Sequence, residues 1–331
     1  MPAVESASRT RDVVARRAPL AGVLLIAAGA SLWGVDGALR KPLTGEWSPY
    51  TIVLYEHIIL VALMGPYLWT RRSQLHRLTR AGWVSAIVIG WGGSALATLL
   101  FTDAISLSLA NLNVVILLQK TQPLWAIGAA ALVLGERPRR ELGVLLMPAA
   151  IGTYLLSFGW LWPSQAASSP QLRPALYALG AAALWGSATA FGRRGLREVE
   201  FPVLTALRFA TALPLLAVIA AAKHALVPAT TANAADWLRL PLLALGAGLL
   251  AMLLYYRGLR TTPAPIATLA ELAFPATALV VNHEFLGYGL AGANLIGFAI
   301  LWATIAVIYR VPVSVPRGRE VAVPPPLASR A

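Results

Sequence analysis

The chain has 331 residues, 58% of them hydrophobic and only 12% charged, with a mean hydropathy of +0.68; soluble domains carry about 25% charged residues, so a soluble globular fold is excluded. Its formal charge is +13 and it contains no cysteine, which removes disulfides, thiolate metal sites and cysteine nucleophiles from consideration. No dense cluster of histidines or carboxylates takes their place.

Apolar stretches of roughly 20 residues, long enough to cross a hydrocarbon core about 30 Å thick, recur from residue 20 onward. They predict ten transmembrane helices over 20–39, 49–69, 82–102, 111–134, 142–162, 175–192, 201–222, 240–256, 264–281 and 289–309. The runs are continuous rather than alternating, which fits helices and not a membrane barrel, so the expected class is an all-α membrane protein. The first run follows a basic tail but is long for a signal core and lacks a small-x-small cleavage site, so it is read as retained. Arg40, Lys41, Arg173, Lys223 and Arg239 fall on one set of loops, Lys120 and Arg208 fall inside spans, and the rest of the 27 lysines and arginines lie on the opposite loops and tails. That asymmetry predicts a multi-pass inner-membrane protein with both termini cytoplasmic. Positive charge confined to helix ends also argues against nucleic acid as a partner. The proline-rich end, 321–331, reads as a disordered tail.

The chain repeats itself. ASLWG at Ala30 to Gly34 returns as AALWG at Ala182 to Gly186, 152 positions later, and the same offset relates Leu117-Leu118-Gln119 before Pro123 to Leu269-Ala270-Glu271 before Pro275. One offset across several helices indicates duplication. Five spans per half is an odd number, so the second half enters the membrane from the opposite side, a plan by which a carrier exposes one central site alternately. The expected divisions are a basic tail over 1–17, a first repeat over 18–163, an external linker over 164–174, a second repeat over 175–310 and a tail over 311–331.

Leu32 to Gly34 with its repeat Leu184 to Gly186, the openings Ser48-Pro49 and Phe201-Pro202, and the stretch from Pro123 to Glu136 together resemble the EamA-type permeases of the drug/metabolite transporter superfamily, across roughly 20–310. The resemblance implies ten helices in two inverted five-helix repeats around a central cavity. It further implies transport, often export, of amino acids or other small metabolites without ATP hydrolysis. The arginine this family often carries in helix two is present as Arg208 in the second half but replaced by Tyr55 or Glu56 in the first, and the glutamate after Gly135 becomes Tyr288 after Gly287.

Charges at membrane depth are costly and call for a partner, a wet cavity or a function. Lys120 and Glu271, near the midplane of helices four and nine, are candidates for substrate binding, with Gln119 and Asn113 beside them and Trp33 and Trp185 as walls. The competing reading gives the amides to interhelical hydrogen bonds and the tryptophans to packing. Lys120 and Glu271 are expected to pair when the carrier is empty and to part when a zwitterion replaces each as the other's partner. Adjacent Glu56 and His57 are candidates for proton coupling, Arg208 for a structural polar role, and Asp36 for an interfacial position. Pro123 and Pro275 should loosen helices four and nine at equivalent points.

No cofactor or metal is implied. The expected partners are the lipid bilayer and a small-molecule substrate, with a homodimer left open. The functions in contention are export of a small metabolite such as an amino acid, export of organic cations or drugs, and, from other classes, an intramembrane enzyme or a structural subunit. HExxH and Walker A patterns are missing from the sequence, and Glu56 and His57 point about 100° apart on a helix, which weakens the enzyme.

Overall fold

The computed structural model describes residues 20–108, 111–134, 140–227, 233–259, 270–271, 273–290 and 292–308. Among them the principal elements are α1 (Leu20–Glu46), α2 (Pro49–Thr70), α3 (Arg80–Leu107), α4 (Leu112–Leu118), α5 (Gln122–Leu134), α6 (Arg140–Phe158), a short α7 (Pro163–Ala167), α8 (Leu172–Gly195), α9 (Phe201–Ala222), α10 (Ala234–Gly258), α11 (Ala273–Leu286) and α12 (Ala293–Ile308), and no strand occurs. Six of these, α1, α2, α3, α8, α9 and α10, are long and apolar enough to cross a membrane, while the others are shorter within the described residues. Leu20, Leu132, Val144, Met147, Val218 and Val280 are exposed on the outside of the bundle. An apolar exterior on this scale suits lipid rather than water.

Helix ends follow local chemistry. The extended Ser48 accepts the Thr51 N–H at 3.1 Å and Pro49 opens α2, so the chain restarts where a hydroxyl cap and a fixed φ favour it. At its other end α1 runs to Glu46, past the expected limit at residue 39. Arg40 and Lys41 are therefore helical rather than on a loop, a correction explained by their buried partners below. The tails and the loops at 109–110, 135–139, 228–232 and 260–269 lie outside the described residues, and with them Gly135, Glu136 and the first part of the expected ninth span.

The two halves trade equivalent contacts. α1 packs chiefly on α10 and α11, while α8, its counterpart in the repeat, packs on α3 and α5; α2 meets α9, and α6 meets α12. A β-carbon at Gly34 would lie 2.7 Å from the Phe274 carbonyl of α11, and one at Gly186 would lie 2.5 Å from the Gln122 carbonyl at the start of α5. The repeated LWG motif thus supplies, in each half, the close approach of one helix to the other half. Glycine-rich stretches of α3 (Ile89–Leu96) and α10 (Leu243–Leu250) both widen into π-helix, again at matching places. Every residue of α4 is buried, as a central helix flanked on all sides requires.

Candidate functional site

Helix four is broken. After α4 the chain takes a tight 3₁₀ turn over Gln119–Thr121, with the Thr121 hydroxyl donating to the Leu118 carbonyl at 2.8 Å, before α5 begins at Gln122. Pro123 sits in the first turn of α5, where its missing N–H does least harm. In the second half Glu271, the repeat counterpart of Gln119, lies in a turn just ahead of α11, and its carbonyl accepts the Phe274 N–H at 3.1 Å. Helix four is thus loosened ahead of Pro123, and a turn at Glu271 precedes Pro275; Lys120 lies in the first of these turns and Glu271 in the second.

The two side chains do not pair directly. Instead the Lys120 ammonium sits 4.1 Å from the centre of the Phe274 ring, an arrangement worth about 0.5–2 kcal/mol by attraction to the ring face. Glu271 accepts a 2.5 Å hydrogen bond from the Tyr255 hydroxyl, yet lies close enough to act electrostatically on Lys120. Tyr255 packs at a tilt against Trp33 with ring centres 5.1 Å apart and meets Tyr256 edge-on, and Tyr256 lies over Phe201 at 4.0 Å. The Tyr256 phenol is within electrostatic reach of both Glu271 and Arg208. Arg208 donates to Ser94 Oγ at 2.5 Å and to the Gly93 carbonyl at 3.1 Å in the π-helical part of α3. One ammonium, one carboxylate and an aromatic wall therefore converge from α1, α9, α10 and α11 on the break in helix four.

Other candidates fall elsewhere. Asn113 is 1% exposed; its carbonyl oxygen accepts from Asn282 at 2.8 Å and its amide donates to the Tyr288 carbonyl at 3.1 Å. Those bonds tie α4 to Asn282 of α11 and to the Tyr288 carbonyl just beyond that helix. Gln119 is half-buried at the break. Trp185 packs edge-on against Phe101 at 5.4 Å, mirroring Trp33 on Tyr255, but on the first-half side where the hydroxyl is missing. A groove of about 560 Å³ between α5 and α8, lined by Leu124, Trp125, Leu132 and Phe191 among others, is mostly apolar, its polar side-chain groups being the Ser187 hydroxyl and the Trp125 indole N–H.

Arg40, expected on an outer loop, is 2% exposed. It donates to both oxygens of Asp36 at 2.8 and 2.9 Å, to both oxygens of Glu56 at 3.0 and 3.4 Å, and to the Thr102 hydroxyl at 3.0 Å. Asp36 thus clamps Arg40 while its side chain stays partly exposed. Lys41 caps α3 by donating to the carbonyls of Ile105, Ser106 and Ser108. His57 turns away from Glu56: its Nδ1 bonds the Val53 carbonyl at 2.9 Å, its ring meets Phe209 edge-on, and its buried Nε2 has no hydrogen-bond partner among the described residues. Sequence reasoning missed Tyr255, Tyr256, Phe274 and the buried state of Arg40. Asp36 and Arg40 at i and i+4 were the available signal, since that spacing puts them on one helix face.

Charge and aromatic surface gathered at a helix break inside an apolar bundle are features that inverted-repeat membrane carriers use to hold a small molecule. The sequence matches the EamA-like transporter family twice, over residues 20–158 and 172–310, and the chain belongs to that family. It is 31% identical over 289 residues to the riboflavin transporter ImpX of Fusobacterium nucleatum subsp. nucleatum, an alignment that takes in 87% of this chain and 97% of the relative. A crystal structure of another protein superimposes with a TM-score of 0.57 over 87% of this chain and 96% of that one. At 20% identity this last likeness concerns the fold alone.

Proposed function

We propose that the protein is a secondary carrier for riboflavin or a closely similar planar heterocycle, bound where the breaks in helices four and nine meet. The observation that carries this reading is the aromatic wall of Trp33, Tyr255, Tyr256 and Phe274 beside a single ammonium and a single carboxylate. An isoalloxazine ring is flat and apolar on both faces, with an imide N–H between two carbonyls along one edge. Stacking on Trp33 or Tyr255 would take the face; the Lys120 ammonium would donate to a ring carbonyl, and Glu271 or Gln119 would accept the imide hydrogen. The relative named as a riboflavin transporter supports the same substrate. Export of an amino acid would use the same ammonium and carboxylate but gives no role to so much aromatic surface. The pair-exchange mechanism expected for a zwitterion also starts from a direct Lys120–Glu271 ion pair, whereas each group here rests on an aromatic neighbour.

In this reading α5, α6, α11 and α12 complete ten spans, the halves are inverted, and both termini face the cytoplasm of an inner-membrane protein that works as a monomer or a homodimer. Net export or import follows the gradients across the carrier. Purified protein should quench riboflavin fluorescence and gain thermal stability from it, because a ligand held by the folded state raises apparent stability by mass action. Amino acids and quaternary amines should do neither, and Trp33→Ala should weaken the quenching at least several-fold. Stabilisation by an amino acid or an organic cation, with no response to riboflavin, would reverse the assignment.

A further inference from the structure

Arg40 uses all of its hydrogen-bonding capacity. A guanidinium has five N–H groups, and the five bonds to Asp36, Glu56 and Thr102 account for each of them. The side chains of Arg40 and Glu56 are 2% and 7% exposed and that of Asp36 is 17% exposed. Two carboxylates against one guanidinium leave one surplus negative charge inside the bundle.

The neighbouring helices do not neutralise it. On α1 the Lys41 ammonium keeps its charge but is drawn to three carbonyls at the end of α3, and the charges that act on Glu56 are those of Arg40 and Asp36. On α2 the His57 ring faces Phe209 and lies in the field of two cations, Arg208 and Arg40. On α3 Asp103 interacts with Arg173 and Lys223. On α9 Arg208 is bonded to Ser94 and Gly93, at the start of α10 Arg239 is paired with Asp236, and on α11 His283 and Glu284 are exposed. Architecture does not demand the cluster either. At the repeat offset Asp36 and Arg40 correspond to Ala188 and Gly192, and Glu56 falls opposite Arg208 or, by the helix-two openings, Phe209, so the second half folds its matching corner without a triad.

We infer that Asp36 and Glu56 share one exchangeable proton across Arg40, and that this site couples substrate movement to a proton gradient. A proton from water forms an O–H bond on one carboxylate oxygen, which brings the triad to neutrality and lets it be occluded; its loss restores the surplus charge and favours contact with water. Asp36, the more exposed acid, is the entry point. The link to substrate is α1 itself, since Trp33 lies one turn before Asp36 on that helix. A shift of α1 that moves the aromatic wall also moves the clamp. Glu56, expected from the sequence to carry a proton with His57, does so with Asp36 instead.

Infrared spectroscopy of the purified full chain in lipid tests this without a substrate. At neutral pH the wild type should show the C=O stretch of one protonated carboxyl at this site, shifted in deuterium oxide and unaffected when sodium replaces choline. Asp36→Asn and Glu56→Gln should each remove that one carboxyl's intensity, because either leaves a one-to-one ion pair with no room for a proton. Intensity that survives either substitution, or its absence from the wild type, overturns the proposal, and loss on adding sodium assigns the site to that ion instead. The second arm rests on the riboflavin reading. In proteoliposomes one proton per cycle across about one pH unit should bias the riboflavin ratio about tenfold, and both variants should lose that bias. A wild type that moves riboflavin without regard to the gradient overturns the coupling. A wild type that moves no riboflavin overturns the substrate and leaves the infrared result standing.

Discussion

The Tyr255 hydroxyl separates the two halves of the site chemically. The Trp33–Tyr255 contact of one half is mirrored by the Trp185–Phe101 contact of the other, and Glu271 corresponds to Gln119, so one half presents a phenol and a carboxylate where the other presents bare aromatic surface and an amide. Tyr255→Phe keeps the ring on Trp33 but removes the donor that aims Glu271. Losing a charge-assisted hydrogen bond at a half-buried carboxylate costs about 1–2 kcal/mol. Riboflavin affinity, read by fluorescence titration, should fall roughly ten-fold, while Phe101→Tyr leaves it unchanged; equal affinities for Tyr255→Phe and wild type would remove Glu271 from the site. Lys120 and Glu271 were legible in the sequence because a charge inside an apolar run stands out. Tyr255 and Phe274 were not, since an aromatic residue in such a run looks like any packing residue until its neighbours are known. Arg40 is misread for the opposite reason: hydropathy ends a span at the first arginine, and beyond its i+4 spacing from Asp36 the partner that buries the charge, Glu56, lies on another helix. The bond from Asn282 to Asn113 is hidden for the same reason, its two residues being distant in sequence.

At the scale of the helix, the duplication read from the sequence becomes a set of reciprocal contacts. A single offset predicted that α1 and α8 are equivalent, but not that each would pack on the helix that follows a break in the other half, since that pairing depends on contacts far apart in the chain. The glycines of the LWG motifs test it. At Gly186 a β-carbon would meet the Gln122 carbonyl, whereas at Gly192, on the same helix, it would meet nothing within 4 Å. Gly186→Val should therefore force α5 away from α8 at a cost of about 1–3 kcal/mol, seen as a lower unfolding temperature. Gly192→Val should be neutral or slightly stabilising, because glycine is a weak helix former. Gly34→Val should match Gly186→Val in size, its contact with α11 being the same one in the other half. A loss at only one of the two positions would show that the repeat is no longer balanced at its helix crossings.

For the whole molecule the question is how the halves move. The proposed orientation places the exposed Ser73, in the turn after α2, on the cytoplasmic face. The native chain has no cysteine, so Ser73→Cys should resist impermeant thiol reagents added to intact cells and react once the membrane is opened; labelling from outside would invert the topology. At that same end Glu198 ties the second half to the first. Its carboxylate accepts the Thr79 N–H at 2.8 Å and the Thr79 hydroxyl at 2.9 Å at the start of α3, and nearby the Glu200 N–H donates to Gln74 Oε1 at 3.2 Å. The other cross-half ties include the Thr51 hydroxyl on the Ala225 carbonyl at 2.9 Å and Trp47 against Trp237 with ring centres 4.9 Å apart. Two halves that rock about a central site must part at one end while the other holds, so the Thr79–Glu198 contact should open in every cycle. With Thr79→Cys and Glu198→Cys combined, a short reversible bis-thiol linker should lower riboflavin flux by at least about tenfold, and reduction should restore it. The reduced double variant serves as its own control for the lost tie, which alone is worth only about 1–3 kcal/mol. If the linked protein transports as fast as the reduced one, the halves do not separate at this end, and alternating access has to be sought at the Trp47–Trp237 contact.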